Sequence, residues 1–140
     1  MKEIRIKLIE TEATLPTRAH PGDAGLDLYA LEGFTVGPGL GLRARTGVAL
    51  EIEPGWVGMI ADRSSLASKG LKTAGGIIDA GYRGEVQVVL WNLSREPITV
   101  KAGDRMAQLL LIPVGLAEVR KVSELSDSSR GAGGFGSSGH

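Results

Sequence analysis

The chain has 140 residues, no cysteine, two histidines, and sixteen basic residues that balance sixteen acidic ones. That is about one domain's worth of chain. It excludes disulfide staples, thiol catalysis and the Cys-rich zinc site of common nucleobase deaminases, and His20 and His140 alone cannot build a His-rich zinc centre. Without net charge the chain lacks the broad positive field of stable nucleic-acid binding, so any phosphate must be held by a few local groups.

At the N-terminus, Ile4, Ile6 and Leu8 alternate with Arg5 and Lys7, which predicts a half-buried first strand. No signal-peptide h-region is present there, and no apolar run approaches the roughly 20 residues of a membrane helix. The expectation is a soluble, cytoplasmic protein without membrane contact. Leu42 to Leu50 continues the alternation, Pro54-Gly55 interrupts it as a turn, and Trp56 to Ala61 reads as the next strand. Ser64 to Gly70 can form one short helix with a serine N-cap and a glycine stop. Val86 to Leu93 is richly β-branched, and Met106 to Val114 is a nearly continuous apolar run, as in a strand buried on both faces. Twenty-one glycines and six prolines cut the chain into short pieces at the spacing of an all-β sandwich or barrel. From about Ser123 the chain contains almost nothing able to form a core, so residues 1–122 are expected to be the folded domain and 123–140 a flexible, glycine-rich arm. Arg130 and Phe135 stand out in that arm, because a plain linker needs neither.

Taken singly, each candidate for chemistry has an ordinary alternative. Asp27 reads as a carboxylate off a strand, or as an edge-strand or turn aspartate. Asp79, before Ala80-Gly81-Tyr82, reads as a catalytic carboxylate or a hairpin-turn residue. Arg63-Ser64-Ser65 is an anion nest, or a helix cap with a surface arginine. Gly103 to Gln108 looks like a turn entering a buried strand. In the arm, Gly131 and Gly136 have the gap of a phosphate loop followed by Ser137-Ser138, but the required lysine and the flanking strand and helix are absent, so a P-loop NTPase is rejected.

Their order carries more than any one of them. Pro21-Gly22-Asp23-Ala24-Gly25-Leu26-Asp27-Leu28, Arg63-Ser64-Ser65-Leu66-Ala67, Gly76-Ile77-Ile78-Asp79-Ala80-Gly81-Tyr82-Arg83-Gly84-Glu85, Gly103-Asp104-Arg105-Met106-Ala107-Gln108 and Arg130-Gly131-Ala132-Gly133-Gly134-Phe135-Gly136-Ser137-Ser138-Gly139 follow one another along nearly the whole chain. Together they resemble the five motifs of the trimeric dUTPase family, in order and at family-like spacing.

That resemblance implies a jelly-roll-like all-β fold and hydrolysis of dUTP to dUMP and pyrophosphate, with Mg²⁺ as cofactor. It also implies a homotrimer whose sites lie between subunits, the arm coming from a neighbour. Asp79 would orient the attacking water. Arg63, Ser64, Ser65 and Gln108 would clamp the phosphates and Arg130 would close on the terminal one, while Asp27 would meet the metal through water. Tyr82 would pack beneath the deoxyribose. Main-chain groups of a hairpin from Gly76 through Ile77 and Ile78 to Gln87 would read uracil, and Phe135 and Gly136 would fold over it. Two residues depart from the family pattern. Asp62 stands where proline is usual and adds negative charge near the phosphates, and Ser65 replaces a glycine and narrows their cradle.

Arg-Ser-Ser-Leu-Ala also resembles the matching motif of dCTP deaminases, a sister family that needs no zinc. The glutamate that family uses on the strand after motif three is Val89 here, and an apolar side chain cannot shuttle a proton. A catalytically silent nucleotide binder and a ligand-free jelly-roll oligomer are the rivals from other classes. Intact Asp27, Asp79, Tyr82, Arg130 and Phe135 speak against the first, and the second gives the arm residues no purpose.

Overall fold

Period-two alternation resolves into strands joined by tight turns in the computed structural model, which describes residues 1–136 and 139. In chain order the elements are β1 (Arg5–Leu8), β2 (Leu26–Tyr29), β3 (Phe34–Val36), β4 (Gly41–Glu51), β5 (Trp56–Ala61), α1 (Ser64–Ala67), β6 (Leu71–Ala74), β7 (Ile77–Ile78), β8 (Glu85–Asn92), β9 (Ile98–Val100) and β10 (Arg105–Pro113). One antiparallel sheet runs β1-β4-β8-β6, a second runs β2-β10-β5-β7, and β3 pairs with β9 as a short ribbon. The all-β expectation with one short helix holds.

Alternation does the sorting. Val86, Val88, Leu90 and Asn92 of β8 are buried, while Glu85, Gln87 and Val89 between them face the other side and stay half-exposed. Leu28, Val48, Val86, Val88, Ala107 and Leu109 have no exposed surface and belong to one cluster fed by both four-stranded sheets. Fully burying such a side chain stabilises by about 1.5–3 kcal/mol. Asn92, the one buried amide, donates to the carbonyls of Val36 and Glu96 and accepts from Ser94, so its burial leaves nothing unpaired.

Three expectations need correction. Leu8 is 45% exposed, so only Ile4 and Ile6 of the first strand turn toward the core. The run Met106 to Val114 is buried only in its first half. Leu110 and Ile112 are half-buried because β10, between β2 and β5, has one face on the core and the other uncovered; Leu111 packs against the core but is only half-buried, and Val114 is exposed. The helix has Arg63, in extended conformation, at its N-cap and no side-chain cap, so the serine cap is absent. Gly70 does end that segment, with φ +99° in the left-handed region.

Arg45 fastens the N-terminal segment and a surface loop to this frame. Its guanidinium meets Glu10 at 2.6 Å, Glu32 at 3.2 Å and Glu85 at 3.1 Å, beside a register shift in β4 that Gly47 makes with φ +71°. Glu85 also accepts the Gly47 N–H at 2.9 Å. Burial opposes the Glu85 charge, but the Gly47 N–H and Arg45 outweigh it and hold the carboxyl below its usual range. A carboxyl whose folded pKa is depressed stabilises fully above its unfolded value of 4.5 and loses that contribution as pH falls through the folded one. Glu85→Gln is therefore expected to cost about 1–3 kcal/mol at pH 7. Denaturant titration across pH should show the gap from wild type shrinking below pH 4.5. A gap that did not change at all as pH fell through the acid range would refute the ionic account.

Candidate active site

Most sequence-predicted residues gather in two separate hollows and one exposed arm, with Ser65 in a third hollow beside the first. Ala19, Asp23, Ala24, Gly25, Asp27, Arg63, Ser64 and Gln108 line the first, of about 350 Å³. Asp27 enters it from β2, where Leu26 and Leu28 on either side are buried and the alternation turns the carboxylate outward. Two arginines face it: Arg63 Nε at 3.7 Å and Arg105 Nε at 3.5 Å. Gln108 stands opposite Asp27 in the β2–β10 register and donates from Nε2 to the Asp62 carbonyl at 2.8 Å. Gly25 is required here, since a Cβ on it would come within 2.0 Å of Gln108 Oε1.

The departures from the family pattern prove less intrusive than their residue types suggest. The Asp62 carboxylate turns to β6, where it accepts the Thr73 N–H at 2.7 Å and the Thr73 hydroxyl at 2.8 Å and pairs with Lys72. Its charge is therefore compensated rather than aimed at the hollow. Ser65 does not line this hollow. It faces a neighbouring one with Lys69, Arg105 and the other side of Arg63.

Arg43, Ile77, Ile78, Asp79, Tyr82, Glu85, Gln87 and Val89 line the second hollow, of about 250 Å³. Asp79 follows β7 and is exposed, and its carbonyl accepts the Tyr82 N–H at 3.1 Å, closing a turn that Arg83 braces through the Ala80 carbonyl at 2.6 Å. The Tyr82 hydroxyl donates to the Glu85 carbonyl at 2.9 Å. A Cβ on Gly84 would lie 2.5 Å from the Tyr82 hydroxyl oxygen, so glycine there lets the ring fold across the turn. Gly76, with φ +92°, brings its backbone against Ile60, whose N–H donates to the Gly76 carbonyl at 2.7 Å.

A paired hairpin from Gly76 to Gln87 does not form. β6 pairs with β8 only at Val89–Asn92, and beyond Ala74 the chain leaves that ladder, so β7 pairs with β5 in the other sheet and the segment is an arch between sheets. Ile78, Asp79 and Tyr82 on the arch nevertheless share a hollow with Gln87 on β8.

The arm stands apart from both hollows. Arg130 donates from Nε to the Gly133 carbonyl at 2.6 Å, and Phe135 is fully exposed with φ +50°. Gly136 is exposed too, with φ +91°. Ser137 and Ser138 lie outside the described residues.

Arg105 and Arg43 were not singled out as site residues from the sequence. Arg105 lies inside a quoted motif, and Arg43 shares the outward phase of Arg45, so both carried a signal. Among the described residues no group of three carboxylate or imidazole side chains converges. Asp27, already facing two arginines, therefore suits an ion that arrives on phosphate oxygens, not one held in a protein cage.

Comparison with known proteins agrees with this geometry. The dUTPase family profile matches residues 11–139. The deoxyuridine 5'-triphosphate nucleotidohydrolase of Solibacter usitatus is 48% identical over 98% of this chain and 96% of its own length. The Nocardia farcinica enzyme of that name is 46% identical over 99% and 87%. A variant of the Staphylococcus bacteriophage 80alpha dUTPase, solved with dUpNHpp, superposes with a TM-score of 0.95 at 30% identity over the whole of both chains. A phage phi11 dUTPase variant, whose structure reveals the coordination of a structural Mg(II) ion, superposes at 0.83 with 27% identity over 88% and 98%. Family profile, relatives and fold converge, and the chain belongs to the dUTPase family.

Proposed function

We propose that this dUTPase hydrolyses Mg²⁺-bound dUTP to dUMP and pyrophosphate by attack of water on the α-phosphorus, in sites assembled between three copies of the chain. The reaction limits uracil incorporation into DNA and supplies dUMP for dTMP synthesis. We place it in the cytoplasm, and no described helix is long and apolar enough to cross a membrane.

One observation carries the reading: Asp79 and the Arg63 cluster line different hollows of one chain, with no residue in common. Each hollow lies near or below the lower end of the 300–1,000 Å³ range of small-molecule sites. A nucleoside triphosphate needs both, and a threefold assembly that brings the second hollow of one copy against the first of another supplies them. The uncovered face of β10, with half-buried Leu110 and Ile112, supports such packing.

In the assembled site, Asp79 holds the water in line with the α-phosphorus and takes up its proton as the new P–O bond forms and the bond to the β-phosphate oxygen breaks. An aspartate is a weak base at neutral pH, so positioning is its larger contribution. Arg63, Ser64 and Gln108, with Ser65 from the adjoining hollow, hold the phosphates, and a bound Mg²⁺ would offset charge on the leaving pyrophosphate. Asp27 keeps Arg63 and Arg105 turned toward that charge and would be the residue nearest such an ion, through water. Tyr82, fixed over Gly84, closes the space a 2′-hydroxyl would need. Main-chain groups of Gly76, Ile77 and Ile78, with Gln87, read the uracil edge. The arm, residues 123–140, closes with Arg130 on the terminal phosphate and Phe135 and Gly136 over the base.

The deaminase alternative has little support in the second hollow. Val89 lines it, and the other carboxylate there, Glu85, is fixed ionised by Arg45 and Gly47, a poor proton shuttle. Pyrophosphate release measured with dUTP, dCTP, dTTP and UTP should be confined to dUTP. Uracil nucleotides formed from dCTP would mark a deaminase, and binding without product would mark a silent binder.

A further inference from the structure

We infer that Asp62 is a positioning residue for the triphosphate, holding the Arg63–Ser64 segment in register with Gln108. This rests on the reading that the Arg63 hollow takes the phosphates. Asp62 lies between β5 and α1, directly before Arg63. Its carboxylate is fixed to β6 of the first sheet by the Thr73 N–H, the Thr73 hydroxyl and Lys72. Its carbonyl is held by Gln108 on β10 of the second sheet. One residue thus ties both sheets at the point where the phosphate-binding segment begins.

The Arg63 side chain has no comparable anchors among the described residues. Its contacts are 3.7 Å to Asp27 and 3.3 Å to the Arg105 carbonyl, so the backbone at Asp62 decides where the guanidinium starts. Burial opposes the Asp62 charge, but hydrogen bonds from Lys72 and Thr73 outweigh it and keep the carboxyl below its ordinary range. The clamp is therefore set throughout the neutral range. Asp62, Lys72 and Thr73 do not line the second hollow, so uracil recognition should be indifferent to it.

Calorimetry on the full chain with dUMP and with the non-hydrolysable analogue dUpNHpp plus Mg²⁺ separates the effects. Asp62→Ala should weaken the triphosphate analogue about tenfold and dUMP by less than about twofold, the scale of one or two lost hydrogen bonds. Asp62→Asn, which still accepts from Thr73, should recover most of the loss. Thr73→Val removes only the hydroxyl bond, and should give a smaller loss confined to the triphosphate even where Asp62→Ala does not fold. Equal weakening of both ligands would overturn the proposal, as would an Asp62→Ala chain that binds dUpNHpp normally while Arg63→Ala does not. Normal binding by Arg63→Ala would instead overturn the phosphate reading beneath it.

Discussion

Asp79→Asn should reduce dUTP turnover by about 10²–10⁴-fold, the range lost when a positioned general base is removed, while nucleotide binding and melting temperature stay near those of the wild type. The separation follows from where the residue sits. Its side chain is exposed, and the turn depends on its carbonyl, which accepts from Tyr82, so asparagine leaves the local fold intact. What changes is the acceptor available to the water. An amide can still bond a water but cannot take its proton, and it donates where the carboxylate only accepted. Single-turnover rates and equilibrium binding on one preparation check both halves, and near-normal turnover would remove Asp79 from the mechanism.

Truncation after Ser129 should lower kcat/KM by about 10²-fold or more, through lost closure and lost charge on the terminal phosphate. Stability should change by less than about 0.5 kcal/mol, as for exposed residues away from the core. Among the described residues Arg130 bonds only within the arm, to Gly133, and Phe135 is fully exposed, so their removal takes no packing from the body. Because the proposed site draws its arm and its Asp79 from different copies, co-refolding truncated chains with Asp79→Asn chains should restore part of the activity that neither has alone. Additive residual rates in the mixture would contradict a shared site, and unchanged kinetics after truncation would contradict the arm's role.

The fold was legible in the sequence where the signal is local. Trp56–Ala61 is a strand with the predicted limits, because Pro54-Gly55 breaks the chain just before it and the Met59-Ile60-Ala61 end runs into the Asp62–Arg63 loop. β8 differs from expectation by one residue at each end for the same kind of reason. Pairing was not local. Nothing between Gly76 and Gln87 announces that β7 joins β5 in the other sheet, so an expected hairpin is an arch. The uncovered face of β10 was hidden too, since Leu110 and Ile112 look like core-facing Leu109 and Leu111 to a sequence reading.

The site divides along the same line. Motif order pointed to Asp27, Arg63, Gln108, Asp79 and Tyr82, and the structure places them in hollows. It could not say that they fall into two hollows, because that depends on which sheet each strand joins. Nor could it orient Asp62. Its residue type suggested repulsion of phosphate, whereas the clamp on Lys72 and Thr73 faces it the other way. Arg105 lies inside the fourth motif, but its ion pair with Asp27 forms across two strands far apart in sequence and leaves no local signal.

A crystal structure of the full chain with dUpNHpp and Mg²⁺ tests the central claim most directly. A carboxylate oxygen of Asp79 should lie about 3 Å from an ordered water. That water should sit behind the α-phosphorus, opposite the bond to be broken, with Arg63 of another copy on the phosphates. Asp79 turned away from the nucleotide, with no solvent molecule linking them, would contradict it.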